Sequence, residues 1–570
     1  MSWWLRRILA ILDWLVLTFS GRKYELLARR LGREAGEPAD EGRRFVAVQI
    51  DGLAHADLLH ALGEGYAPTL QRLIDQGYRL QRWRCGLPSS TPAVQAGIMY
   101  GNNWDVPAFR WYEKESGFAP VAKAPAHIER IQARVAAGRQ GILTGGSSYS
   151  NLMDGGARLA LFTLAAMGRQ RFFEHLRGIG WALLMILLPW RVLRIAGLTA
   201  WELSRDVAKS FVHWVRSGLR ARPSLIEPFL VVMANVVLGE VMAFGVALDI
   251  YRGVPGIYVT FYGYDEIAHG AGARSPEALH GLKRIDGHIR EIDRLRRLYW
   301  PGMDLLILSD HGMSASLPFR ELDGRTLRQC IAECVGDAST WDDEWDPDVA
   351  DAASLSFLLD ELDGVERHLS SRGRRLVRAM RLRIERREPA HADHEWNLAR
   401  GSDVVVRASG GTAHIYFNVT EAHMDVSEVA LLYPALLDML AEHTGIGLVL
   451  GAEDGRPVIV TSRGTVTLTA DRLPPGLSNP EQTAADLSRL LSFPHAGDLV
   501  VFGAWDHGEI ISFEEQVATH GSIGGPQELP FFLVPPDVPL DVSGVTNAEQ
   551  LYPFFMERYH GTRADEWASR

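Results

Sequence analysis

The chain predicts an α/β fold, with a central, mostly parallel sheet flanked by helices and interrupted by an apolar helical insertion. Three observations point there. Residues 46–50 (Val-Ala-Val-Gln-Ile) read as apolar on both faces, the pattern of a strand buried between layers. Further runs of this kind alternate along the chain with stretches of helical spacing. The 570 residues leave room for a large core and one or more smaller units.

Residues 1–30 open with Trp3, Trp4, Arg6 and Arg7 ahead of an apolar run that Asp13 interrupts. No small-x-small site follows, which argues against a cleavable signal peptide, and the run falls short of the roughly 20 residues of a bilayer span. Paired tryptophans beside arginines predict an amphipathic helix in a membrane interface; the plainer alternative is a helix packed on the protein body. Residues 31–43, rich in Gly, Glu, Ala and Pro, read as a linker. After the strand at 46–50 come helical segments at 57–61 and 67–77, the second carrying Leu70, Leu73 and Ile74 at helix spacing. Strands are expected at 254–261, 304–309, 410–417, 498–503 and 529–534. Residues 44–155 and 251–540 then make one catalytic domain, and 541–570 a C-terminal helical tail.

Residues 156–250 differ in character. The run at 181–190 is short and stops at Pro189; the run at 229–244 carries Asn235 and Glu240, costly in lipid unless paired. They predict a helical insertion that caps the site, touches a membrane, or both, with spanning helices as the alternative. Arginines flank both runs and set no orientation.

A net charge of -11 counts against a nucleic-acid polymer as partner. Cys85, Cys330 and Cys334 form no disulfide or metal framework and read as ordinary thiols. Residues 336–355 and 384–396, the latter with His391 and His394, read as solvated loops, and no internal repeat is present.

The chemistry gathers at polar residues that close apolar strands. Asp51-Gly52 follows 46–50, and Asp310-His311-Gly312 follows 305–308. Asp265 and His269 stand four apart, one helical face, and His520 lies in the Gly-rich stretch 520–525. A lone Asp-Gly after a strand is ordinarily a turn, and Asp-x-x-x-His alone is common on helices. Two polar residues breaking an apolar strand are more distinctive, and together the groups suit a centre of two divalent ions, since carboxylates and imidazoles ligate them and an ion offsets a buried Asp. Pro92 suits the first position of a helix, which places Thr91 at its N-cap beside free backbone N–H groups. Thr91 is then either a helix cap or a nucleophile for phosphorus, with Ser89 and Ser90 as rivals.

These residues resemble the alkaline phosphatase superfamily, within it the type I phosphodiesterase/nucleotide pyrophosphatase branch. Asp51-Gly52 with Ala67-Pro68-Thr69-Leu70 resembles the family's opening strand and helix start, and Pro88-Ser89-Ser90-Thr91-Pro92, with Gly101 beyond, its nucleophile segment. The proline here follows the nucleophile by one residue rather than two. The resemblance covers 45–110 and 255–315, and 495–535 more thinly. It implies an alkaline-phosphatase-like sheet and Thr91 as nucleophile. It also implies two divalent ions of zinc type, one held by Asp265, His269 and His520, the other by Asp51, Asp310 and His311, with Thr91 reaching both. His507 is a rival for His520. The branch's phosphoryl-steadying Asn is replaced here by the stretch Arg110-Trp111-Tyr112; Asn102 or Asn103 are substitutes, and His414 is a further pocket candidate.

The resemblance implies a metal-dependent phosphoester hydrolase, a phosphodiesterase rather than a monoesterase, acting through phosphothreonine on a small phosphoester or a lipid-linked substrate. The alternatives are transfer of a phospho-alcohol group to a lipid or glycan at a membrane surface, and a non-catalytic membrane-associated protein. A sulfatase is disfavoured because Cys85-Gly86-Leu87-Pro88 lacks the Cys-x-Pro-x-Arg pattern. Membrane side and oligomeric state stay open.

Overall fold

The structure is a computed structural model that describes residues 42–167, 239, 242–336, 340–342, 403–506 and 508–561. The expected helix at 1–30, the linker up to 41, both apolar runs of 156–250 except the end of the second, residues 384–396 and His507 lie outside the described residues.

The first sheet has seven strands. In chain order they are β1 (Phe45–Ile50), β2 (Arg79–Arg82), β3 (Ser147–Tyr149), β4 (Leu159–Leu161), β5 (Gly256–Phe261), β6 (Asp304–Leu308) and β7 (Phe531–Val534). Their order in space is β2-β7-β6-β1-β5-β3-β4. β1 pairs in parallel with β5 and β6, β3 in parallel with β4 and β5, and only β7 runs antiparallel to its neighbours. Every residue of β1, β5 and β6 is buried, as strands sandwiched between helical layers must be. The fold is thus mixed α/β with a mostly parallel sheet flanked by helices, as the apolar runs predict.

The ends of the stretch 156–250 belong to this body. β4 is an edge strand of the sheet, and residues 242–250 are helical and buried, Met242, Phe244, Val246 and Ile250 lying in the main core. Among the described residues no helix is long and apolar enough to cross a membrane. The described part of the C-terminal stretch, 541–561, also packs inward: Phe555 and Tyr559 meet Phe45 of β1 at ring-centroid distances of 5.4 and 4.4 Å.

The strands at Thr412–Phe417 and Leu499–Gly503 join neither β1 nor β6. They lie in a second seven-stranded sheet, antiparallel except where Thr340–Asp342 pairs with Val404–Ser409. Alternate residues of its strands face different cores: Leu499 and Val501 one, Val500 and Phe502 another. A strand covered on both faces reads as a continuous apolar run whichever way its neighbours point, so hydrophobic pattern alone merges the two sheets. A four-stranded sheet that includes Ser314–Pro318 and Ala518–Thr519 links them beside the site.

Candidate active site

Three neighbouring parallel strands end at one level. The register pairs Ile50 with Phe261 and Gln49 with Leu308, so Asp51, Tyr262 and Ser309 leave the sheet together. Open α/β sheets keep their chemistry at such carboxyl ends. After β5 the helix Gly263–Ala271 brings Asp265 and His269 around on one face. After β6 the chain delivers Asp310 and His311, both fully buried. Gly52 takes φ +69°, and a Cβ there would stand 2.3 Å from Asp265 Oδ1. Only glycine meets both the left-handed backbone and the close carboxylate.

The helix Thr91–Tyr100 begins one residue earlier than Pro92 suggests. Ser90 is the N-cap, extended and without a side-chain cap bond, Thr91 is the first helical residue, and Pro92 follows. Proline fits either of the first two positions, because neither N–H has an intrahelical acceptor. The Thr91 hydroxyl faces the strand ends: Oγ1 lies 3.4 Å from Asp51 Oδ1 and 3.2 Å from His311 Nε2. Its rivals are placed otherwise. Ser89 Oγ accepts from Gly521 N–H and donates to Ser522 O, clamping the Gly-rich loop, while Ser90 Oγ has no hydrogen-bond partner.

The three histidines share one arrangement. His269 Nδ1 lies 2.9 Å from Ala518 O, His311 Nδ1 3.0 Å from Gly312 O, and His520 Nδ1 3.0 Å from Ser89 O. A carbonyl only accepts, so each Nδ1 carries a proton, which leaves Nε2 as the ring atom that can ligate. Asp51, Asp310 and His311 form one cluster, and Asp265, His311 and His520 another, with ligand atoms within 4.8 Å of each other in each. His311 therefore stands in both, its ring stacked on His520 at 3.8 Å. His269 Nε2 meets Asp265 Oδ2 at 3.3 Å.

The electrostatics call for a cation. Burial pushes the Asp51 carboxyl well up, and the Asp310 and Asp265 carboxylates push it further. Burial also raises Asp265, but His269, with His520 and His311 beyond it, outweighs that and holds it below the usual carboxylate range. Burial drives His520 well down, and His311 beside it adds to this. Asp265 Oδ1 and Asp310 Oδ2 are buried with no hydrogen-bond partner. Orphaned carboxylate oxygens beside imidazole nitrogens are the donor set that divalent ions take, so the residues present fit the expected metals.

A cavity of about 290 Å³ opens over this cluster, lined by Asp51, Thr91, Asp265, His269 and His520. Asn102 and Asn103 are absent from its wall. Asn102 donates to Val135 O, and Asn103 is held between Asn547 and Arg489. His414 is likewise elsewhere, buried in the second sheet and accepting from Gly497 N–H. Adjacency to the Thr91 helix in sequence does not carry Asn102 and Asn103 inward, because the helix ends at Tyr100 and Gly101 turns the chain away in a left-handed conformation. The wall instead holds Ser150, Tyr262 and Lys123. Tyr262 directly follows β5, so the strand-end rule reaches it; nothing in the sequence around Lys123 marks it. Cys85 and Cys330 are buried, and burial pushes both thiols up, that of Cys330 to about 11, as expected of unreactive cysteines.

No protein-family model matches the chain, and no curated protein matches it in sequence. Solved structures do. Phosphonoacetate hydrolase from Sinorhizobium meliloti 1021, in complex with phosphonoacetate, is similar at 14% identity and a TM-score of 0.45, covering 91% of this chain and 96% of that one. Murine ectonucleotide pyrophosphatase/phosphodiesterase 5, an inactive form in complex with AMP, is similar at 10% identity and a TM-score of 0.43, covering 91% and 95%. The human counterpart shows 10% identity and a TM-score of 0.40, covering 91% and 96%.

Proposed function

We propose that the protein is a metal-dependent phosphoester hydrolase, a phosphodiesterase that works through a phosphothreonine at Thr91. The observation that carries this reading is the placement of the Thr91 hydroxyl 3.4 Å from Asp51 and 3.2 Å from His311, in the wall of a cavity lined by carboxylates and imidazoles. Asp51, Asp310, His311, Asp265, His269 and His520 would hold two divalent ions of zinc type. Such ions supply Lewis acidity, lowering the charge cost of the alkoxide and of the phosphoryl oxygens.

The chain's own contribution is positional. Thr91 gives up its hydroxyl proton and its Oγ attacks phosphorus, forming the Thr91–O–P bond as the bond to the leaving alcohol breaks and that oxygen takes up a proton. Water then attacks the same phosphorus, and the threonine oxygen leaves and regains its proton. Thr91 sits in the first helical turn, whose backbone N–H groups have no acceptors within the helix and favour anionic oxygen. A cavity of about 290 Å³ is at the small end for ligand sites, roughly 300 Å³ upward, and suits a compact ester head.

The test is metal content together with hydrolysis of bis(4-nitrophenyl) phosphate, 4-nitrophenyl phosphate and a 4-nitrophenyl nucleotide ester. Thr91→Ala should keep its metal and lose about 10³-fold or more of kcat. Undiminished turnover by that variant would sink the covalent assignment. Phosphoryl transfer to an added alcohol without release to water would replace hydrolysis by transfer.

A further inference from the structure

Two cations line the cavity, and they are not equivalent. Arg110 is neutralised: it pairs with Glu514 and also donates to Ala408 O. Lys123 forms no ion pair or hydrogen bond among the described residues; its ammonium stands 5.7 Å from the Phe109 ring centroid. Burial and the neighbouring Arg110 pull its pKa down, while Glu514, Glu266 and Asp265 oppose them.

The same wall presents two neutral donors without partners. Ser150 is 1% exposed, its Oγ is unbonded, and it holds φ 55°, a left-handed conformation uncommon outside glycine and enriched at ligand sites. The Tyr262 hydroxyl is also buried and unbonded. A partly buried ammonium and two free hydroxyls are costly to leave unmatched, and a bound anion matches all three.

We propose that Lys123, with Ser150 and Tyr262, forms an anion subsite beside the Thr91 centre, so that the substrate carries a carboxylate or phosphate on the alcohol next to its scissile phosphoester. The proposal rests on the hydrolase reading above. It narrows that reading from phosphodiesters in general to those with a second, fixed negative charge. Neutral-armed diesters react at the same centre but bind without this contact.

Three 4-nitrophenyl phosphodiesters test it, differing only in the second arm: ethyl, 2-carboxyethyl or 2-phosphoethyl. Binding is read by calorimetry in zinc-containing buffer on the Thr91→Ala protein, with and without Lys123→Gln or Lys123→Arg; turnover is read with Thr91 intact. With Lys123 present, a charged arm should bind roughly tenfold or more tighter than ethyl. Lys123→Gln should collapse that preference to within about twofold, and Lys123→Arg should keep part of it. The larger preference of the two charged arms tells phosphate from carboxylate. Equal loss on all three arms would put the ammonium on the scissile phosphoryl group and overturn the proposal; so would equal binding of all three by the parent protein, or none. If the hydrolase reading fails instead, wild-type turnover is what goes missing, and the calorimetric preference stands apart from it.

Discussion

His311 and His414 are each completely buried, one at the end of the first sheet and one within the second. His311 donates from Nδ1 to Gly312 O and turns Nε2 toward Thr91, Asp310 and Asp51 at 3.2, 3.5 and 3.6 Å. His414 accepts from Gly497 N–H, and burial pushes its pKa down to about 4, leaving a neutral ring with structural work alone. Burial and residue type are the same; sheet topology differs. Parallel neighbours end on one edge, so β1, β5 and β6 converge their polar termini, while antiparallel neighbours send successive ends to opposite edges.

Three measurements would break or sharpen that contrast. The largest effect belongs to Asp310→Asn, which should cut kcat/KM by about 10³-fold and remove most of the Tm gain on adding zinc. The metal-free variant should match or exceed the metal-free wild type in Tm, because one of three clustered carboxylates no longer repels the others. A large Tm loss without metal would mean that the cluster is structural, like His414.

Next comes His414→Phe, expected to leave kcat and metal content unchanged. The folded pKa of about 4 lies below the ordinary 6.5. The unfolded chain therefore binds more protons in acid, so this stability is complete above about pH 6.5 and lost as pH falls toward 4. Denaturant titrations should show the wild type losing roughly 3 kcal/mol over that window through this group, and the variant lacking that part of the slope. Parallel slopes would put the proton elsewhere.

The smallest effect concerns what holds the Thr91 helix to the strands. Gln95, one turn beyond Thr91, donates to Gln49 Oε1 at 3.3 Å and Thr260 Oγ1 at 3.2 Å, and accepts from Leu152 N–H at 2.9 Å. Gln95→Leu strands these buried partners and should cost about 2 kcal/mol of stability, with kcat down about tenfold and metal content intact. A stability loss with full kcat would make the network scaffolding only.

What the sequence disclosed follows from the same physics. Asp51 and Asp310-His311 were legible because a polar residue cutting off a buried apolar run is an anomaly, and Asp265 and His269 because four residues make one helical turn. The first sheet was legible at β1, β5, β6 and β7, which are covered on both faces, and not at the short β2, β3 and β4. The second sheet was not separable, since Leu499–Gly503 is covered on both faces as well. Asn102, Asn103 and His414 have the right chemistry in the wrong place, and Lys123 reaches the cavity through a chain path of turns and isolated bridges between Gly101 and Pro125 that no periodicity encodes.

β7 has a consequence in time. It is the seam of the first sheet, seated between β2 and β6, yet it is the last of the seven strands to be made. A growing chain therefore carries Thr91 long before β2, the strand leading to it, has a neighbour, and His520 emerges only just ahead of that neighbour. Such long-range closure is slow, and it delays assembly of the proposed centre until β7, with His520 just ahead of it, has been made.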